Sequence, residues 1–292
     1  VLKDQEQFQR VKAKSGGKIK VNLFPGGVLG GDQANVSALQ GGTLEMAVMN
    51  SGILASQVKE FAVFDLPFQF ATSKEADAVV DGPFGKAMHD KLQDKGLIGL
   101  AYWELGFRDL TNGKRPINKV EDIAGLKIRV IPNPINLDWV KALDANPAPM
   151  AFPEVYAALE TRALDGQQNP VTVILANKFG EVQKHLALTH HQYNPQSVLI
   201  SKKVWDSFSP TEKKIFADAA REATSAQRQV ARDATNTALE QLKKNGMQVT
   251  ELPAAEMTKL RDKLRPVIAK YSVAVGQETL QAFQAEIAKA RK

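Results

Sequence analysis

Gly125-Leu126-Lys127-Ile128-Arg129-Val130, then Phe152-Pro153-Glu154-Val155-Tyr156-Ala157-Ala158-Leu159-Glu160, then Asp165-Gly166-Gln167-Gln168-Asn169-Pro170 form the most informative stretch of this chain. The alternation from Leu126 to Ile131 is a strand signal. Pro153 and Glu154, just after Phe152, start a helix. Pro170 lacks the amide a strand ladder needs, so the short segment before it ends at Asn169. Three element ends thus carry an arginine, an aromatic ring and an amide. A guanidinium presents a planar fork that fits a carboxylate with two parallel hydrogen bonds. Together the three describe a small-anion pocket better than a core. Taken singly, Arg129 reads equally as an exposed charge, and Phe152 reads better as core.

Upstream, Phe8 to Lys14 closes a helix at Gly16-Gly17, and even Val1 to Gln5 looks helical. Ile19 to Phe24 alternates like a strand, and Gly30-Gly31-Asp32 opens a helix that stops at Gly41-Gly42. Leu44 to Met49 reads as the next strand. Strand, glycine-rich loop, helix, strand is the α/β rhythm. Glu75 to Gly96 reads as helix broken at Gly82-Pro83, and Leu97 to Trp103 as a buried strand. Asn112-Gly113 predicts a hairpin joining Phe107–Leu110 to Arg115–Ile117. Asn136–Leu143 and Glu154–Arg162 predict short helices, and Val198–Ser201 a strand.

Ser209-Pro210-Thr211-Glu212 is a capping box with proline at the first helical position. Helix formers continue to Lys244, and Gly246 stops them. At 1.5 Å per residue such a helix is about 50 Å long, more than one small domain is wide. Val249 to Leu252 predicts a last strand. Amphipathic helix follows from Ala254 to Lys292, with a break expected near Pro266.

The 292 residues suffice for one large or two medium domains. With 24% charged residues and no apolar run of membrane-spanning length, the chain reads as soluble and globular. It contains no cysteine, which excludes disulfides, zinc–thiolate sites and cysteine nucleophiles. The net charge of +6 is spread along helices rather than collected into a basic block, so nucleic acid is not an expected partner. A mild positive bias does favour small anions. No basic-then-apolar leader is visible, so any signal peptide is expected to have been removed, or never present.

Gly26-Gly27-Val28-Leu29-Gly30-Gly31 lacks both the ending of a nucleotide loop and the dinucleotide spacing. It reads as a turn into a helix N-terminus, with Asp32 as an N-cap or facing a cleft. His190-His191 is the only histidine pair, and neighbours on a strand point to opposite faces, which makes a shared metal ion difficult. Neither metal nor cofactor is expected. Arg108, at the entry to the expected hairpin, reads by itself as a solvated strand-end charge.

Taken together, the blocks resemble one family, the extracytoplasmic solute-binding subunits of tripartite ATP-independent periplasmic (TRAP) transporters, of the dicarboxylate-binding DctP type. The resemblance rests on Leu29-Gly30-Gly31-Asp32, Asp65-Leu66-Pro67-Phe68, Gly106-Phe107-Arg108, Gly125 to Val130, Pro149-Met150-Ala151-Phe152 and Asp165-Gly166-Gln167 with Asn169-Pro170, in family order. It implies an α/β, two-domain periplasmic-binding-protein-like fold with a long domain-spanning helix. The expected lobes are residues 1–105 plus 195–234 and residues 106–194 plus 235–292, with the ligand cleft between them. It makes Arg129 the carboxylate clamp, Arg108 the second pocket arginine, Phe152 the aromatic wall and Asn169 the polar amide. Asp32 and Asn50 come to the first lobe's lip. Trp103, Glu104, Gln168 and Tyr193 occupy variable positions that set ligand identity. The family opens with a strand and loop before its first helix, so that segment is expected to be missing here, or the first sheet one strand shorter. The longer Arg129-Val130-Ile131-Pro132-Asn133 spelling, and Gln168 in place of an acid, argue against sialic acid.

The expected protein is therefore a monomeric, periplasmic, non-enzymatic binder of a small organic acid. It would deliver a sugar acid, hydroxy acid or 2-oxo acid, aliphatic or aromatic, to integral-membrane TRAP permease subunits. The alternative is an enzyme acting on a small carboxylic acid substrate, disfavoured because no nucleophile, metal set or cofactor loop is visible.

Overall fold

The structure is a computed structural model that describes residues 9–292. The helical readings of Val1–Gln5 and of Phe8 lie outside those residues. Residues 9–14 are helical and end at Gly16 and Gly17, both at positive φ.

Seven strands form one sheet: β1 (Met46–Asn50), β2 (Leu97–Asn112), β3 (Lys127–Val130), β4 (Asn146–Pro149), β5 (Gly166–Asn169), β6 (His185–Ser201) and β7 (Gln248–Glu251). Their order is β1-β6-β2-β5-β3-β4, and β7 pairs with β6. The central pair, β2 and β6, runs antiparallel from Leu97 opposite Ser201 to Asn112 opposite His185. Sixteen residues of strand span about 50 Å. At one end β6 takes up β1, and at the other end β2 takes up β5, which leads to β3 and β4. Two long strands thus carry the sheet from one half of the molecule to the other.

The third long element is the helix Pro210–Lys244, with the expected reciprocal cap: Ser209 Oγ accepts from the Glu212 amide, and Glu212 accepts from the Ser209 amide. Its first half buries Phe216, Ala219 and Ala223 against Val11, Trp103 and Val198. Its last turns bury Ala238 and Leu242 against Val155, Ile174 and Phe179. Between these contacts Arg228 and Arg232 pair with Asp81, Asp77 and Glu104. Gln227 brackets the Glu104 backbone, accepting from its amide and donating to its carbonyl. That clasp sits where the β2 register shifts, between Glu104 and Gly106.

Several expectations are corrected. The Asn112-Gly113 hairpin does not form, because both edges of β2 are occupied, by β5 on one side and β6 on the other. Asn112 Oδ1 instead accepts from the amides of Lys114 and Arg115, making a turn with no returning strand. Ile19 to Phe24 joins no ladder. Ile19 and Val21 pack on the cluster around Val11 and Phe216, while Phe24 is exposed. The C-terminal helix runs through Pro266 and breaks at Gly276, whose φ of 99° suits glycine alone. Leu260, Leu264, Val267, Tyr271 and Val275 hold helical spacing across the proline, so packing outweighs one lost hydrogen bond. The Val198–Ser201 strand proves to be the end of β6.

Candidate functional site

Strand β3 lies between β4 and β5, and Arg129 is its third residue, 2% exposed. Arg129 Nε donates to the Met150 carbonyl at 2.9 Å. Its two terminal nitrogens donate to no acceptor among the described residues, so the fork stays available. The Phe152 ring lies beneath, its centroid 5.8 Å from the guanidinium carbon. Phe152 begins a single 3₁₀ turn, Phe152–Glu154, that leads into the helix Val155–Glu160, and it packs against Phe179. Burial pulls the guanidinium down to about 10, against the pull of Asp32 and Glu154. It remains a cation at neutral pH.

Arg108 is held quite differently. It is 1% exposed, and four of its hydrogen bonds go to amide oxygens. Nε donates to Gln168 Oε1, one terminal nitrogen to Asn194 Oδ1, and the other to the Gln168 carbonyl and to Asn169 Oδ1 at 2.6 and 2.9 Å. Burial and the neighbouring Arg129 pull it down to about 9, while Asp65 and Asp32 oppose them. Arg108 has one N–H left and a positive field, whereas Arg129 has a whole fork. The two arginines are therefore not equivalent.

Beneath Arg108 lies an anion that the sequence reading passed over. Asp65 is fully buried and accepts from Asn194 Nδ2 at 2.8 Å, Asn133 Nδ2 at 2.9 Å and Asn136 Nδ2 at 3.2 Å. Gln192 donates to its backbone carbonyl. Burial pushes its carboxyl up to about 6 despite Arg108 and the three amides. Asn194 bridges the two charges, since its oxygen accepts from Arg108 and its nitrogen donates to Asp65. One signal was present: Asp65 is the only charge in the apolar, aromatic run from Phe61 to Phe70. A buried charge requires partners.

Across from the arginines, Asp32 is the first residue of the helix Asp32–Gly41, with Gly31 rather than Asp32 as its N-cap. Asp32 is half-buried, and burial raises its carboxyl, countered by Arg129, the Asn50 backbone and Arg108. Asn50 ends β1 and caps the following turn, its Oδ1 accepting from the Gly52 amide at 2.8 Å. Its Nδ2 is buried without a hydrogen-bond partner. Asp32 and Asn50 thus stand with Arg129 and Arg108. The glycine loop before Asp32 presses on the aromatic turn: a methyl at Gly27 would come within 2.7 Å of Pro153, and one at Gly31 within 3.1 Å of Ala151.

Asn169 and Gln168 belong to the Arg108 shell. Three other expected positions make their contacts elsewhere. Trp103 packs with Val198 and Ala223 under the long helix. Glu104 pairs with Arg232 of that helix at 2.6 Å. Tyr193 meets Phe107 and Phe70 edge-on, at 5.0 and 5.6 Å, within the main core. His190 is exposed and pairs with Asp109, while His191 is buried beside Thr189, so the two do face apart. No cluster able to hold a metal ion occurs among the described residues.

Residues 2–273 match the family of bacterial extracellular solute-binding proteins, family 7 (DctP). The chain belongs to this family. It is 38% identical over 239 residues, 82% of its length, to the 2,3-diketo-L-gulonate-binding periplasmic protein YiaO of Escherichia coli, covering 73% of that protein. A TRAP periplasmic solute-binding protein from Ochrobactrum anthropi, solved with its C-terminus in the ligand-binding pocket, is 54% identical with a TM-score of 0.86. The match covers 99% of this chain and 91% of that one. The sugar acid-binding protein DctPAm of Advenella mimigardefordensis, in complex with galactonate, is 41% identical with a TM-score of 0.96, over 98% of this chain and 93% of that one. DctP-family proteins are extracytoplasmic solute-binding subunits of transporters rather than enzymes, which removes the enzymatic alternative. No helix among the described residues is long and apolar enough to cross a membrane.

Proposed function

We propose that this DctP-family protein captures a small organic acid in the periplasm through Arg129, closes two lobes around it, and hands it as a monomer to an integral-membrane TRAP permease. The observation that carries the reading is the buried Arg129 fork, engaged among the described residues only through Nε and floored by Phe152. A cation held this way, with its terminal nitrogens uncommitted, suits a carboxylate that brings its own charge. Arg108, Asn169 and Gln168 form one wall, and Asp32 and Asn50 the facing lip. The names of YiaO and of the galactonate-bound neighbour support a sugar acid. Calorimetry with galactonate and other sugar acids, or mass spectrometry of copurified ligand, tests it directly.

The proposed lobes are residues 1–105 with 195–234 and residues 106–194 with 235–292, joined by β2, β6 and the long helix. A ligand touching Arg129 on one lobe and Asp32 on the other stabilises the closed arrangement by contacts that exist only when both are engaged. Small-angle scattering is expected to show a smaller radius of gyration with saturating acid than in ligand-free protein. A higher melting temperature would follow from any tight binder. An unchanged radius would therefore reject lobe closure even where the melting temperature rises.

A further inference from the structure

We propose that Gly31 is a positioning residue for ligand capture: the missing side chain lets the first lobe dock on Ala151 of the second and brings Asp32 up to Arg129, so that a side chain added at 31 wedges the cleft open. This rests on the two-lobe reading above and names the surface on which the lobes meet.

The backbone does not require glycine at this position. Gly30, next to it, has a φ of 115° that favours glycine. Gly31 has φ −78° and ψ 169°, extended backbone that any residue adopts. It is also the N-cap of the helix Asp32–Gly41. Serine, threonine, aspartate or asparagine there would accept from a free amide of the first turn, which glycine cannot do. Local chemistry therefore favours a side chain at 31, and the reason for its absence lies across the cleft. A Cβ on Gly31 would lie 3.1 Å from the Ala151 Cβ and 3.8 Å from Pro153 Cδ. Carbon atoms in relaxed contact sit about 3.5–4.0 Å apart, so the first distance is too short without a shift.

Gly31 and Ala151 belong to one surface. Beside them Gly27 abuts Pro153, and Gln33 Nε2 donates to the Pro132 carbonyl at 3.4 Å. The partners in the second lobe all follow the strand ends around Arg129: Pro132 comes after β3, and Ala151 and Pro153 come after β4. The same segment supplies the Met150 carbonyl that holds Arg129 Nε and the Phe152 ring beside the guanidinium. Asp32 directly follows Gly31, as Phe152 directly follows Ala151. Asp32 feels the charge of Arg129 across this contact. A wedge between 31 and 151 therefore separates the acidic lip from the clamp. It meets resistance only where the lobes touch, and leaves the packing inside each lobe as it was.

The test uses Gly31→Ser, Gly31→Thr and Ala151→Gly, singly and combined, with D-galactonate as the probe. Serine and threonine cap a helix at least as well as glycine, so the ligand-free variants are expected to melt within about 2 °C of wild type or above it. Calorimetry is expected to show binding weakened about three-fold by serine and about ten-fold or more by threonine, whose extra methyl enters the same gap. At saturating acid, Gly31→Thr is expected to keep a larger radius of gyration than wild type. Ala151→Gly is expected to bind within about three-fold of wild type by itself, and to restore most of the affinity when added to Gly31→Thr. Binding by Gly31→Thr within about two-fold of wild type, or a loss that Ala151→Gly does not relieve, overturns the proposal. So does a ligand-free melting temperature lowered by both Gly31 substitutions, which would mark the glycine as structural. A wild type that binds galactonate with an unchanged radius rejects lobe closure itself, and one that binds no sugar acid rejects the Arg129 reading. Either of those results removes the wedge together with the reading beneath it.

Discussion

Arg129→Ala is expected to weaken acid binding by about 30-fold to several thousand-fold, equivalent to about 2–5 kcal/mol for a buried carboxylate deprived of its partner. Much of that loss is desolvation of the ligand left uncompensated rather than the strength of the contact. Arg129→Lys is expected to fall in the same range, because a point charge cannot reproduce the fork and cannot keep the Nε bond to Met150. The ligand-free protein should melt close to wild type, since the substitution removes one hydrogen bond to a carbonyl. Arg108→Ala is expected to differ in kind. It strands four acceptors inside the protein, so it lowers stability as well as affinity. Calorimetry and thermal unfolding on the same three variants separate the roles. Binding by Arg129→Ala within a factor of two of wild type would remove Arg129 as the clamp.

Where local chemistry decides, the sequence was readable. The long helix begins and ends where its capping box and Gly246 place it, because both signals act through the nearest few residues. The Arg129 strand and the end of β5 at Asn169 emerge for the same reason. The site is legible only in part, because its other half is assembled by long-range bonds. Asp65 finds its amides 68, 71 and 129 residues away, and no local pattern announces them. The part of β6 ahead of Val198 is weakly marked in the sequence because both of its faces are buried there and carry polar residues, among them His191, Gln192 and Asn194, which hide the alternation of a strand. Asn112-Gly113 misled because turn chemistry forms a turn wherever it lies. A hairpin also needs a free strand edge, and tertiary pairing had already used both edges of β2. Glu104 and Trp103 lie close to Arg108 in the sequence, yet they meet the long helix.

Gly52→Ala should be among the most destabilising small substitutions in the chain, although Gly52 has no special φ. The added methyl would fall inside the carboxyl group of Asp65, overlapping both oxygens and the carbon. A flexible side chain would move aside, but this carboxylate is fully buried and fastened by Asn133, Asn136 and Asn194. The backbone is fastened too, because the Gly52 carbonyl accepts from Asn133 and its amide is the donor that fixes Asn50. Giving up even two of the bonds to the charged group costs about 1.5–3 kcal/mol each, so a total above about 3 kcal/mol is expected. For a chain of this size that lowers the melting temperature by about 5 °C or more. Affinity should fall as well, because a displaced Asp65 releases Asn194, which helps hold Arg108. A double-mutant cycle isolates the cause. In an Asp65→Ala background the methyl has room, and adding Gly52→Ala should then cost less than about 1 kcal/mol. A Gly52→Ala protein melting within 2 °C of wild type, or a cost unchanged by Asp65→Ala, would show that the carboxylate is not the rigid post on which this side of the site is built.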